Sequence, residues 1–148
     1  MTILDLERFI PYRLNRAAAA VSERLKEVYG RKHSLTIPEW RVLATVAQFP
    51  GVTAKTVGTH ARLHKTKVSR AVDALQERRW LARTENPEDR REDFLSLTAQ
   101  GWRSYRTLIP DMAAFESKLC VDLGPEGTQV LLDALDRLER ALRLGPRN

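Results

Sequence analysis

Residues 52–72 read VTAKTVGTHARLHKTKVSRAV. The stretch holds Lys55, His60, Arg62, His64, Lys65, Lys67 and Arg70 without a single acid, in a chain whose net excess is only +6. Thr53 is placed to cap a short helix through His60, since a Thr at a helix start accepts from an otherwise orphaned backbone N–H. Leu63-His64 then turns the chain into a second helix, Lys65 to Arg79. Val68, Ala71, Val72 and Leu75 recur on it at three- and four-residue steps and form its inward face. Its other face shows Lys65, Thr66, Lys67, Ser69, Arg70 and Asp73. Two short helices at a tight turn, the second opening on cations, suit a surface that meets DNA phosphates and reads base edges in the major groove. A charge run is more often a solvated face, so the neighbouring sequence decides between the two.

Upstream, Thr36-Ile37-Pro38-Glu39 is a helix start. Thr36 caps, Glu39 stands at the reciprocal capping-box position, and Pro38 is tolerated in the first turn. Trp40, Leu43, Ala44 and Val46 carry the core face of that helix, and Pro50-Gly51 ends it. Downstream, Trp80 to Thr84 and Asp93 to Leu97 are short β-like runs. Between them lies the polar, turn-rich Asn86-Pro87-Glu88-Asp89-Arg90-Arg91-Glu92, which predicts a hairpin with a long charged loop. Three helices followed by a hairpin make a winged helix-turn-helix. The fold class is therefore mainly α with a small β-hairpin wing.

The two ends of the chain are long and striped. Leu6, Ile10, Leu14, Ala17, Val21, Leu25 and Val28 lie on one stripe, with Gly30 as the stop and Pro11 expected to break or kink the helix near its start. Thr98 caps a further helix, and Tyr105, Leu108, Met112, Phe115 and Leu119 continue its stripe to about Leu123. Pro110 predicts a kink on its N-terminal side. Gly124-Pro125-Glu126 is a break and restart, after which Leu131, Leu135, Leu138 and Leu142 form the last stripe. Residues 1–34 and 99–148 read as a helical dimerisation region, and residues 35–98 as a winged DNA-binding domain. The apolar ends are built to pack on each other and on a second copy, giving a homodimer.

Composition narrows the partner. A chain of 148 residues with 43% hydrophobic and 30% charged residues is long enough for a core without staples. Its pI of 9.9 favours nucleic acid as the acidic partner. The single cysteine, Cys120, excludes an intrachain disulfide and a cysteine zinc cluster. On an apolar helix it reads as inert rather than as a redox sensor. His33, His60 and His64 fall in no metal-ligand spacing. Met1 to Arg13 has no signal-peptide core and no apolar run approaches a membrane span, so a cytoplasmic, membrane-free location is expected. With no glycine-rich phosphate loop, nucleophile motif or clustered loop carboxylates, neither an enzyme nor a bound cofactor is expected.

In order and spacing, three motifs resemble the multiple-antibiotic-resistance regulator (MarR) family of bacterial transcription factors. They are Leu35 to Leu43, Lys65 to Leu75, and Pro87-Glu88-Asp89-Arg90-Arg91 followed by Leu95 to Gly101. The resemblance runs from about Leu6 to Leu142. It implies a dimer whose terminal helices interlock and whose winged domains straddle a double-stranded operator, commonly released by a small aromatic or phenolic effector. It also implies that Lys65, Thr66, Lys67, Ser69 and Arg70 open the recognition helix. Arg70 suits guanine or phosphate, since its planar fork fits either. Asp89 and Arg91 match the family's Asp-x-Arg wing motif, in which the arginine enters the minor groove and the acid aims it. Arg90 could take the tip role instead. Thr53, Lys55 and Arg62 complete the DNA face, the last two as phosphate anchors. His64 departs from the family, which often has Asp there, and histidine caps a helix poorly.

Trp40 lies beside the helical junction where the family's ligands bind, and Tyr12, Arg13, Arg16 and Arg41 could reach it. An arginine there would suit a carboxylate. Against this, tryptophans are more often core anchors, and Arg13 and Arg16 read equally as solvent-facing or subunit-spanning charges. The different-class alternative is a nucleoid-type DNA binder or protein-interaction winged module without ligand control. Salt dependence and sequence specificity separate these readings.

Overall fold

The computed structural model describes residues 3–145. Residues 1–2 and 146–148, which fall within the two arms assigned from sequence, lie outside the described residues. The elements run α1 (Ile10–His33), α2 (Ile37–Gln48), β1 (Val52–Thr53), α3 (Ala54–Ala61), α4 (Lys65–Glu77), β2 (Leu81–Glu85), β3 (Asp93–Leu97) and α5 (Ala99–Ala141). The fold is a winged helix-turn-helix: α2, α3 and α4 followed by a small antiparallel sheet, with α1 and α5 at its back.

Three helix starts are written in the sequence and made as written. Thr36 Oγ1 accepts from Glu39 N–H at 3.3 Å while Glu39 Oε2 accepts from Thr36 N–H at 3.1 Å, a complete capping box. Thr53 Oγ1 accepts from Thr56 N–H at 3.2 Å, and Thr98 Oγ1 from Gly101 N–H at 3.0 Å. On α4 the inward face is Val68, Ala71, Val72 and Leu75, all buried. They join Val42, Leu43, Val46, Val57, Leu81, Leu95, Leu97 and Leu108 in one core.

The sheet holds three strands rather than two, in the order β1-β3-β2. Val52 pairs with Leu95 and Thr53 with Phe94. Two residues are too few to show a period, and their partner lies forty positions away in the chain, so no local pattern signals β1.

Four expectations are corrected. Pro11 neither breaks nor kinks α1 but stands in its first turn, where the missing N–H would be unpaired anyway. Gly30 is not the stop: α1 runs on to His33, and Ser34 in the left-handed region (φ 53°) is the cap, its N–H bonded to Gly30 O. On α2, Trp40 and Ala44 are only half-buried, and Val42 and Thr45 take the buried positions. α4 ends at Glu77 rather than Arg79, with Arg78 as its C-cap. The helical dihedrals of α5 run on through Pro110. That proline and Arg106, whose carbonyl loses its partner, are both exposed, so water can satisfy the carbonyl. The break in α5 is at Gly124 (φ 72°, ψ 164°), where the Gly-Pro pair predicts it.

The two long helices are tied to each other, behind the winged core, by a polar cluster. Lys32 Nζ on α1 donates to Asp111 Oδ2 at 2.8 Å and to Thr107 O at 3.2 Å on α5. Thr107 Oγ1 donates to Ser104 O, which leaves it to accept from His33 Nε2 at 2.9 Å. The His33 ring meets Trp80 edge-on at 5.6 Å. Burial, then the Lys32 and Arg78 cations, pull the His33 pKa below its ordinary 6.5, against the opposing carboxylate of Asp111. Folding thus favours the neutral ring, and the unfolded chain takes the proton more readily. Stability should fall as pH drops below 6.5 through the window down to the lowered folded value. Thermal melts at about pH 7.5 and about pH 5.5 should show a smaller loss in His33→Gln than in the wild type. Equal losses would mean another group carries the dependence.

By contrast, every residue from 11 to 20 of α1 is exposed. So are Ile3, Leu4, Leu6 and Phe9 before it, and Val121, Val130, Leu131, Leu132, Leu142 and Leu144 toward the other end. Leu6, Ile10, Leu14, Ala17 and Val21 of the first stripe and Leu131 and Leu142 of the last therefore face outward in a single protomer, while Leu25, Val28, Leu135 and Leu138 are half-buried.

Candidate nucleic-acid interface

The turn between α3 and α4 is made by backbone and by one glycine. Arg62 adopts the left-handed conformation (φ 53°) and caps α3 through its N–H to Gly58 O and Thr59 O. Leu63 N–H bonds Gly58 O at 2.9 Å. A Cβ on Gly58 would stand 3.2 Å from Leu63 O and 3.3 Å from Val68 Cγ2, so a small residue lets the two helices close. His64 then caps α4 after all: its Nδ1 accepts from Thr66 N–H at 3.3 Å. The bond is as long as the one Thr36 Oγ1 accepts at the start of α2.

With its inward face buried, α4 presents Lys65, Thr66, Lys67, Ser69 and Arg70 to solvent. An open cleft of about 940 Å³ separates α3 and α4 from the wing. Lys55, Arg62, His64, Lys65 and Ser69 line it from one side, and Arg91, Glu92 and Asp93 from the other. Thr66, Lys67 and Arg70 lie beyond its wall on the exposed side of α4. Thr53 is half-buried, and its hydroxyl is engaged in the α3 cap.

The wing loop is braced by side chains. Asn86 Oδ1 accepts from Glu88 N–H at 3.0 Å and Asp89 N–H at 3.4 Å. Asp89 Oδ1 accepts from Arg91 N–H at 3.0 Å and from Arg91 Nε at 3.2 Å. The carboxylate thereby holds Arg91 at its backbone and its head, while the arginine side chain stays 91% exposed. Arg90 leans the other way, toward Glu85 at 3.6 Å.

Electrostatically the face is uneven. Among the described residues, Lys55, Arg62, Lys65, Lys67 and Arg70 have no ion-pair partner. Asp73, on the outward side of α4, is taken by Arg83 at 3.0 Å. Arg83 also donates to Gln76 Oε1 at 2.8 Å and lies 3.9 Å from Asp93. It therefore offsets Asp73 of α4 and Asp93 of β3 and ties the wing to α4. Sequence reasoning gives Arg83 no role; the local signal is only a cation in a short β-like run, between Ala82 and Thr84.

The residues considered for a small ligand fall into two groups. Tyr12, Arg13 and Arg16 are on the exposed half of α1, with Arg16 over the Tyr12 ring at 5.6 Å and 3.5 Å from Glu7. Trp40 and Arg41 are half-buried on α2. Trp40 stacks on Tyr29 at 5.5 Å and on Tyr105 at 6.4 Å, bridging α1 and α5. Burial raises the Tyr29 pKa, with the Arg41 charge opposing. Within one protomer the two groups are on separate surfaces.

Among the described residues, no three His, Cys, Asp or Glu stand where they could share a metal ion, and no helix is long and apolar enough to cross a membrane.

Residues 33–92 match the sequence profile of the MarR family. The chain is 26% identical over 138 residues to the HTH-type transcriptional regulator MhqR of Bacillus subtilis, covering 93% of each protein. It is 24% identical over 121 residues to the uncharacterized HTH-type transcriptional regulator YwoH of the same organism, covering 82% of this chain and 87% of that one. The fold superposes with a TM-score of 0.79 on the transcriptional repressor CouR bound to a 23-mer DNA duplex, at 26% identity over 93% of this chain and 99% of that one. These relatives are transcriptional regulators, not enzymes.

Proposed function

We propose that the chain is a winged helix-turn-helix transcriptional regulator of the MarR family that binds a pseudo-palindromic operator as a homodimer and acts as a repressor, a reading supported by the profile match and by the likeness to MhqR and CouR. In this reading α4 enters the major groove and the wing the minor groove, with half-sites about one helical turn, ~10 bp, apart. One observation carries it. Lys55, Arg62, Lys65, Lys67 and Arg70 stand unpaired on one face among the described residues, while Asp73, Asp89 and Glu85 are neutralised by arginines. The free cations of this face outnumber Glu92, the cleft-lining acid without an ion pair among the described residues, and such a face is suited to a polyanion. The hold of Asp89 on Arg91 favours Arg91 over Arg90 as the wing contact. Repression follows the likeness to CouR, and the exposed apolar ends of α1 and α5 support a second copy. An aromatic or phenolic effector, with an aromatic acid or its thioester as the leading class, is supported by the Tyr29, Trp40 and Tyr105 stack with Arg41 beside it.

Titration of labelled duplexes across a salt series tests the reading. Specific binding should exceed binding to a scrambled duplex by about 10³ or more, and log K should fall steeply with log salt, with a slope as steep as roughly −9 if all ten cations of a dimer meet phosphates. Sedimentation should find a dimer at micromolar concentration. A monomer, or equal affinity for both duplexes, would remove the operator reading in favour of the nucleoid-type one.

A further inference from the structure

Three helix ends meet at the guanidinium of Arg78. α1 ends there: His33 O accepts from Nη1 at 2.6 Å and Ser34 O from Nη2 at 3.0 Å. α2 begins there: Glu39 Oε2, already the acceptor of the capping box, lies 3.9 Å from Nη2. α4 ends there, because Arg78 is itself its C-cap, with its N–H bonded to Ala74 O. The guanidinium also lies 5.2 Å over the Trp80 ring, and the side chain is only 32% exposed. A cation on the last carbonyls of α1 is favoured by the helix dipole as well as by the two bonds.

These contacts join parts with different work. α2, α3, α4 and the sheet share one core, into which Tyr29 of α1 and Leu108 of α5 also reach. α1 and α5 form the frame that carries them. α5 is fixed at its start by Thr98, whose N–H and Oγ1 donate to Trp80 O and Arg79 O, and by Leu108 in the core. α1 is otherwise joined through rings: buried Tyr29 stacks on Trp40, and His33 meets Trp80 edge-on. The fork of Arg78 is directional, since two bonds fix its plane as well as its position.

Leverage makes that direction matter. α4 has 13 residues, so its reading end lies roughly 18 Å from Arg78 at 1.5 Å per residue. A rotation of about 10° there moves Lys65 by about 3 Å, close to the ~3.4 Å rise of one base pair.

We propose that Arg78 is a positioning residue that sets the spacing between the two recognition helices, and so the half-site spacing the protein accepts. It touches no base. This rests on the dimeric operator reading above.

The test uses the full-length dimer and a duplex recovered by the wild-type protein from a randomised pool, with one base pair inserted or removed at its centre. Wild-type affinity should fall about tenfold or more on the altered duplexes, at least the cost of one mismatched base pair. Arg78→Ala should discriminate by less than about threefold, and Arg78→Lys, which keeps the charge but not the fork, should fall between. Circular dichroism reports whether each variant folds; if Arg78→Ala does not, Arg78→Lys decides. A uniform loss with wild-type spacing discrimination would make Arg78 a stability residue only and overturn the inference. Wild-type protein that accepts the altered spacing would instead overturn the two-fold operator reading beneath it.

Discussion

Gly101→Ala should lower the stability of the folded chain by about 3 kcal/mol, more than any exposed substitution on the DNA face. A Cβ at this position collides with the Trp80 carbonyl. That carbonyl cannot retreat. It accepts from Thr98 N–H at 3.0 Å, Thr98 Oγ1 holds the preceding Arg79 O at 2.6 Å, and Trp80 N–H is bonded to Leu75 O at 2.9 Å. Trp80 is buried in the core, and Leu81 after it pairs with Leu97. The first turn of α5 must therefore shift outward, and α5 is half of the frame behind the winged core. For a chain of this size the melting temperature should fall by roughly 6–12 °C at fixed protein concentration. Gly127→Ala is the matched control. A Cβ there meets only Leu123 Cβ at 3.7 Å, an ordinary contact. Its effect should have the opposite sign, a gain of up to about 1 kcal/mol from helix propensity. A Gly101→Ala protein melting within about 2 °C of the wild type would show that the turn is not packed as described.

What could be read from sequence was local. Thr36, Thr53 and Thr98 cap their helices because the side chain and the N–H it accepts from are three residues apart, so both lie in one window. Val68, Ala71, Val72 and Leu75 announce their burial by spacing alone. The basic face was legible for the same reason: charge is a property of residues, and the acid-free run needs no partner to be seen. What escaped depends on residues far apart in the chain. β1 exists only because Leu95 and Phe94 lie beside it. Arg78 sits in a run of charges that reads as solvated, yet its acceptors are 44 and 45 residues upstream. Arg83 reaches Asp73 and Gln76 only after the hairpin folds back on α4. Pro11 was misread differently: the steric rule it carries has no consequence in a first turn, and where the helix starts is not stated by the apolar spacing.

Arg70→Ala should weaken specific DNA binding by about 1–3 kcal/mol at each half-site if the side chain reads a base. A two-fold complex carries the change twice, so the loss should be at least about thirtyfold. Arg70 is exposed and unpaired among the described residues, while Ala71 and Val72 beside it are buried. Its backbone position is thus set by the core, and truncation removes reach without inviting a local rearrangement. Stability should stay within about 0.5 kcal/mol of the wild type, so a binding loss cannot be ascribed to unfolding. The salt series then tells base from phosphate. Loss of a base contact falls on the specific duplex and leaves the slope of log K against log salt near its wild-type value. Loss of a phosphate contact makes the slope shallower by about 0.9 per site, roughly two for the dimer, on specific and scrambled duplexes alike. Lys67→Ala is the comparator for the second outcome, since a flexible ammonium on the same exposed side of α4 suits phosphate as a point charge. If Arg70→Ala and Lys67→Ala lose the same on both duplexes with the same change of slope, Arg70 is another phosphate anchor. The reading of bases must then lie with Lys65 or Ser69 on the cleft side of α4, or with the Asp89-braced Arg91 of the wing.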